Sequence, residues 1–218
     1  MTTVETLNRF SPIEVERRQS IGTILAIVAI DPSRNGENAS NPRLWTTIEE
    51  KPKSATDRIK GQISFPADTR KVGESEIHNA IGSLAEFSDN DRLIRKGLFL
   101  MPSSFIERTV PVKGNPVDLV VVVFDGFLAN PIVPFDKNEV SANGWMSRED
   151  LKKEDPSRLR SFVREVIAME EADGPINRVI TDYFQSQHAR IPLDTLLPPD
   201  FSIASFYSQR ERLPDVMR

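Results

Sequence analysis

Cysteine is absent from the 218 residues, and histidine nearly so, with only His78 and His188. The first absence excludes a disulfide scaffold and any cysteine-ligated zinc or iron–sulfur centre. The second excludes a metal cage built from several histidines. Charge of one sign is also scarce: 28 basic and 32 acidic residues leave a net charge of -4. Such a surface is not built to neutralise many phosphates, so nucleic acid is not an expected partner. Long apolar runs are missing too. The longest, Ile24 to Ile30 and Leu119 to Phe124, fall far short of the roughly 20 residues that span a bilayer. The N-terminal segment carries Glu5, Arg9, Glu14 and Glu16 with no apolar stretch between them, unlike a secretory signal. No internal repeat and no low-complexity tract stands out. The expectation is a soluble mixed α/β protein of the cytoplasm, with no membrane partner.

What is present reads as one sizeable domain with appendages. A chain of this length buries roughly 70% of its unfolded surface, enough for a core without staples. The expected organisation is an extension over 1–20, a domain over 21–173, and a C-terminal helix with a proline-containing tail over 174–218. That last part packs on the domain or on a partner.

Ile21 to Ile30 is apolar and β-branched almost throughout, and is too short for a convincing helix, so it reads as a buried strand. Leu44 to Glu50 suits a second strand, and Gly61 to Phe65 a short one stopped by Pro66. Between them, Lys51 to Lys60 reads as an exposed basic connection. From Glu74 to Asp89 the apolar residues Ile77, Ala80, Ile81, Leu84 and Phe87 recur at helical spacing. Gly82 sits mid-helix, where it costs about 1 kcal/mol relative to alanine. Leu93 to Leu100, Phe105 to Val112 and Val117 to Leu128 read as strands, the last central in a sheet. Pro131 to Gly144 reads as a loop. Ser147 suits an N-cap for a helix from Arg148 to Lys153. A helix from Pro156 to Ala172 and another from Ile176 to Gln187 follow. From Arg190 onward Pro192, Pro198, Pro199 and Pro214 break any long element.

Three local segments then carry a family resemblance. Phe65-Pro66-Ala67-Asp68 resembles the Phe-Pro-Gly-Gly turn of Nudix proteins, and Gly73-Glu74-Ser75 resembles the opening of their helix. Glu139-Val140 with Gly144-Trp145-Met146 resembles the segment before the last Nudix helix. The resemblance covers roughly Ile21 to Ala172. It implies an α/β/α sandwich around a mixed, twisted sheet, with an extra C-terminal helix and tail.

The family's diagnostic box runs Gly, five residues, Glu, seven residues, Arg-Glu-apolar-any-Glu-Glu, any, Gly. Laid on this chain, the opening glycine falls on Asp68 and the first glutamate on Glu74. The Arg-Glu pair falls on Gly82 and Ser83, the apolar position on Leu84, the Glu-Glu pair on Glu86 and Phe87, and the closing glycine on Asp89. In the family the helix carboxylates hold magnesium, which bridges pyrophosphate oxygens and activates water. Carboxylates at i, i+3 and i+4 share a helix face and converge on one cation. Here those positions hold Ser83, Glu86 and Phe87, and the arginine that would pair with the first glutamate is a glycine. The box is degenerate.

The resemblance therefore implies a binding module without hydrolysis, for a nucleotide, a nucleoside-diphosphate derivative or a protein partner; the alternative is a divergent magnesium-dependent pyrophosphohydrolase. No cofactor is expected in the first case, and Mg2+ in the second. Glu74 and Glu86 are the candidate metal ligands, and with Glu139 the candidate catalytic residues. Charge–dipole placement explains Glu74 equally well, a solvated helix face explains Glu86, and a structural turn explains Glu139. Asp68, Glu76, Asp89 and Asp91 are candidate replacement ligands, and Glu107 lies where Nudix enzymes sometimes carry a base. His78 is either an exposed polar residue or catalytic, and His188 is a weaker candidate for the same role. Lys60, Arg70 and Lys71, with Arg58 behind them, are the candidate phosphate contacts, against the plain reading of a solvated basic face. A homodimer is a further expectation about partners.

Overall fold

A computed structural model describes residues 20–30, 42–49, 60–87, 97–105, 110–112, 114–125, 140–169 and 174–216, with backbone alone at 49 and 85–87. Strands β1 (Gly22–Ile30) and β7 (Asn115–Asp125) form the centre of the sheet, paired in parallel from Thr23↔Asp118 to Ile30↔Asp125. Their continuous apolar sequences follow from burial on both faces. On β1, Ile24, Ala26, Val28 and Ile30 enter one core cluster, whereas Leu25 and Ile27 enter the other. On β7, Leu119, Val121 and Val123 join the first cluster, and Val120, Val122 and Phe124 the second. Burial of each such side chain contributes about 1.5–3 kcal/mol.

Between these two strands in the chain lie β2 (Arg43–Glu49), β3 (Ile63–Ser64), β4 (Ala67–Thr69), helix α1 (Glu76–Phe87), β5 (Leu98–Leu100) and β6 (Val110–Val112). After β7 come β8 (Val140–Ser147), α2 (Arg148–Lys153), α3 (Ser161–Ala168), α4 (Pro175–Gln185), β9 (Ile191–Pro192) and α5 (Ile203–Arg210). The main strand path among the described residues is β3-β2-β1-β7-β5-β9; β4 adds to β1, β6 to β7, and β8 to β2. All pairs except β1–β7 are antiparallel. The sheet is thus mixed.

Helix α1 lays Ile77, Ala80, Ile81 and Leu84 on one sheet face, beside Val120 and Val122. Helices α3 and α4 cover the other face with Phe162, Val163, Val166, Ile176, Val179 and Ile180. The result is an α/β/α sandwich, as expected. Ser147 caps α2 as the sequence suggests, its Oγ accepting from the Asp150 amide at 3.1 Å.

The short strand does stop before Pro66, as β3 ends at Ser64; β4, from Ala67, is a separate strand on β1, and the Pro66 carbonyl between them accepts from the Leu25 amide at 2.7 Å. Two local readings, of Val140 to Gly144 and of the helix from Pro156, need correction. Val140 to Gly144 is not loop but part of β8, because β2 offers it a pairing edge, with Trp45 opposite Trp145. Those two rings meet edge-on at 5.0 Å between centroids. The helix expected from Pro156 is divided: a 3-10 turn covers Pro156–Arg158, and α3 starts only at Ser161. Leu159 forms a bridge to Ile63, and the Arg160 amide donates to the Ile63 carbonyl at 3.0 Å, so tertiary pairing overrides helix continuation. Of the strand expected over Phe105 to Val112, the described residues are Phe105, bridged to Val120, and β6; 106–109 lie outside the described residues.

Candidate functional site

The loop between β4 and α1 carries the residues that the box alignment singles out. It turns at Gly73, whose φ of +84° is a conformation that glycine adopts without steric cost. Ser75 then caps α1, its Oγ accepting from the His78 amide at 3.3 Å. Inside the turn, Glu74 Oε2 accepts from the Lys71 amide at 2.7 Å. Glu74 is therefore a loop-closing residue.

Its main partner comes from the far end of the chain. Arg210, at the end of α5, has a side chain 1% exposed. Its Nε donates to Glu74 Oε1 at 2.7 Å, and its Nη2 donates to Glu74 Oε2 at 3.1 Å and to the Thr69 carbonyl at 2.8 Å. Its Nη1 donates to Asp68 Oδ2. One planar fork thus holds two carboxylates and a carbonyl, a geometry that arginine provides and lysine does not. The guanidinium fits because position 82 has no side chain. A Cβ on Gly82 would lie 2.4 Å from Arg210 Nε and 2.6 Å from its Cζ.

Further contacts seal the same edge. The Lys71 ammonium meets Asp215 at 2.9 Å and Glu211 at 3.6 Å. The Val72 amide donates to the Pro214 carbonyl at 2.9 Å, and the Val216 amide to the Arg70 carbonyl at 2.8 Å. Ile203 joins the core cluster under α1, and Phe206 stacks on the His78 ring with centroids 6.4 Å apart. The tail expected to lack long elements thus contains α5, which docks along the side of α1 that carries His78 and Gly82.

Arg70 pairs with Asp118 at 2.5 Å, with side chains only 12% and 7% exposed. Lys71 is ion-paired as above, and Lys60 is exposed. Burial alone would lower the Lys71 pKa, but the Asp215 hydrogen bond and the Glu211 and Asp215 charges raise it instead. Asp68 and Glu74 come together on Arg210. Glu76 is half-buried in the first turn of α1. Ser83 is buried, and its hydroxyl donates to the Asn79 carbonyl at 3.0 Å, one turn back in α1. Glu86 and Phe87 lie in the last turn of α1 by backbone. Arg58, Asp89, Asp91, Glu107 and Glu139 lie outside the described residues. His188 falls in the 3-10 turn Gln187–Ala189, apart from α1 in the chain. His78 is not the exposed residue first expected: it is half-buried, with Nδ1 3.0 Å from Ser75 Oγ.

Burial lowers the His78 pKa below its ordinary 6.5, with the Glu74 charge opposing part of the shift. The unfolded chain therefore takes up a proton at this site before the folded one does. Stability is fully present above about pH 6.5 and is expected to fall as pH drops through the lowered folded value. Urea titrations between pH 5 and 7.5 test this: His78→Gln should flatten the slope, and an unchanged slope would assign it to other groups.

Magnesium demands near-octahedral oxygen ligation. The described residues do not fit it. Both Glu74 oxygens are engaged by Arg210 and the loop, Asp68 is neutralised by the same guanidinium, and the family's second glutamate is the buried Ser83. Among the described residues, no group of three or more His, Cys, Asp or Glu could hold a metal ion. Likewise, among them no helix is long and apolar enough to cross a membrane.

Sequence reasoning missed Arg210, Asp118, Glu211 and Asp215. The one signal available was Gly82, a residue unfavourable in mid-helix at the position where the box has its arginine.

No protein-family profile and no curated protein matches the chain. Similar solved structures do exist. The Ap4A hydrolase of C. elegans in a binary complex is 14% identical, covering 75% of this chain and 96% of that one, with a TM-score of 0.44. The NUDIX domain of Shewanella oneidensis NrtR, complexed with ADP ribose, is 12% identical over 77% and 96%, also with a TM-score of 0.44. The Nudix hydrolase RenU of M. smegmatis is 15% identical over 70% and 88%, with a TM-score of 0.41. The second and third are Nudix proteins, the family whose segments the sequence resembles.

Proposed function

We propose that this chain is a Nudix-type binding module that takes a nucleotide or a nucleoside-diphosphate derivative and does not hydrolyse it. The observation that supports this most is Ser83, which is fully buried where the box has a glutamate and offers only a hydroxyl, already donated to the Asn79 carbonyl. Asp68, a candidate replacement ligand, is held by Arg210, so its charge is already balanced inside the protein. Without a bridging metal, a pyrophosphate group needs cationic and backbone donors. Lys60, Arg70 and Lys71 are the residues proposed for this role. For Arg70 and Lys71, phosphate has to exchange with Asp118 and Asp215, which limits the gain from each contact.

Two assays test the reading. With magnesium or manganese, turnover of ADP ribose, diadenosine polyphosphates and nucleoside triphosphates should stay at background. Turnover that rises with metal and vanishes in Glu86→Gln would establish the hydrolase alternative. Calorimetry with the same compounds should give a binding isotherm weakened in Lys60→Ala. No heat from any of them would favour a protein partner.

A further inference from the structure

We infer that Arg210 is the positioning residue of the loop over 68–75, standing in for the arginine that the helix itself lacks at position 82. The inference rests on the alignment of the box with residues 68–89 and is independent of which ligand is bound.

The argument is steric and electrostatic together. In the aligned box, an arginine on the helix pairs with the first glutamate of the loop. Here that glutamate, Glu74, is paired, but through a guanidinium from α5. The guanidinium lies against the bare Cα of Gly82, within the volume that a side chain at 82 would enter. Gly82 and Arg210 are therefore complementary: either position can carry the arginine, and only one at a time. The hydrogen bonds from Arg210 to Asp68, Thr69 and Glu74 span the loop from the end of β4 to the start of α1. The C-terminal segment is thereby part of the site and not an appendage. Its release would free the Lys71 ammonium and the Val72 amide, while Arg70 stays on Asp118.

Amide hydrogen exchange reads the loop residue by residue. The Lys71 amide is held by Glu74, whereas the Val72 amide is held by Pro214 of the C-terminal segment. In Arg210→Ala, both should exchange faster, by about 10- to 100-fold for the loss of charged hydrogen bonds. Adding Gly82→Arg to Arg210→Ala should restore slow exchange at Lys71 while Val72 stays fast. A side chain that merely glued α5 to the domain would not show that split. Unchanged exchange at Lys71 in Arg210→Ala overturns the inference, and so does exchange in the double variant as fast as in Arg210→Ala alone. Should Arg210→Ala fail to fold, folding of the double variant is the expected rescue, and its failure counts against the inference. Calorimetry on the same variants keeps the two proposals apart. No binding of any nucleotide by the wild type, with exchange at Lys71 changing in Arg210→Ala as expected, would count against the ligand reading alone.

Discussion

Gly82→Ala is expected to destabilise the protein by about 2–4 kcal/mol, although the same exchange in a free helix face stabilises by about 1 kcal/mol. The sign reverses because of what lies against Gly82. The new Cβ would come within 2.4 Å of Arg210 Nε and 2.6 Å of Cζ, which is closer than atoms can approach. The far end of the side chain must leave, and its polar contacts hold it in place. Displacing it strands Asp68 and Glu74, whose side chains are 12% and 7% exposed, without their cation. Breaking a buried ion pair from one side costs about 3–5 kcal/mol, from which the helix-propensity gain is subtracted. Urea unfolding of Gly82→Ala beside Gly82→Ala/Arg210→Ala measures it. The double variant should be more stable than Arg210→Ala alone by about 1 kcal/mol, since the clash is gone and the helix-propensity gain remains. Stabilisation in the single variant would mean that Arg210 does not occupy this place in solution.

Arg70→Ala carries the second large effect, also expected at about 3–5 kcal/mol. Asp118 sits on β7 opposite Thr23 of β1, in the parallel pair at the centre of the sheet. It is 5% exposed, and Arg70 Nη2 donates to it at 2.5 Å. Removing the guanidinium leaves a carboxylate in the interior without its ion-pair partner among the described residues. Replacing both partners with apolar residues of similar size removes the desolvation cost together with the attraction. Arg70→Met/Asp118→Leu should therefore recover most of the loss in a denaturant series. Equal losses in the single and double variants would place the cost in packing and not in the charge pair.

The central strands and the box helix were legible because their causes are local in the chain. An apolar run such as Ile24 to Ile30 is buried on both faces whichever helices cover it. The spacing of Ile77, Ala80, Ile81 and Leu84 makes one apolar stripe before any neighbour is known. Ser147 caps the helix that follows it through a bond to a residue three positions on. Ser75 likewise caps α1 through the amide of His78, three positions on.

Other features depend on partners that no local pattern announces. Leu159 and Arg160 are extended, not helical, because Ile63 offers them a backbone partner. Val140 to Gly144 is strand because β2 presents a free edge there. Arg70 carries the charge expected of a phosphate contact, yet only the folded chain shows that Asp118 stands beside it. The same holds for Glu74, which by sequence alone had lost its arginine. Its partner lies 136 positions away, in a helix of low amphipathicity among prolines. Sequence determined the strands, the helix and the vacancy at Gly82, since these follow from residue type and spacing. Tertiary structure decided what fills that vacancy, because a buried carboxylate is stabilised by whichever cation the fold brings within hydrogen-bonding distance, however far off in the chain it lies.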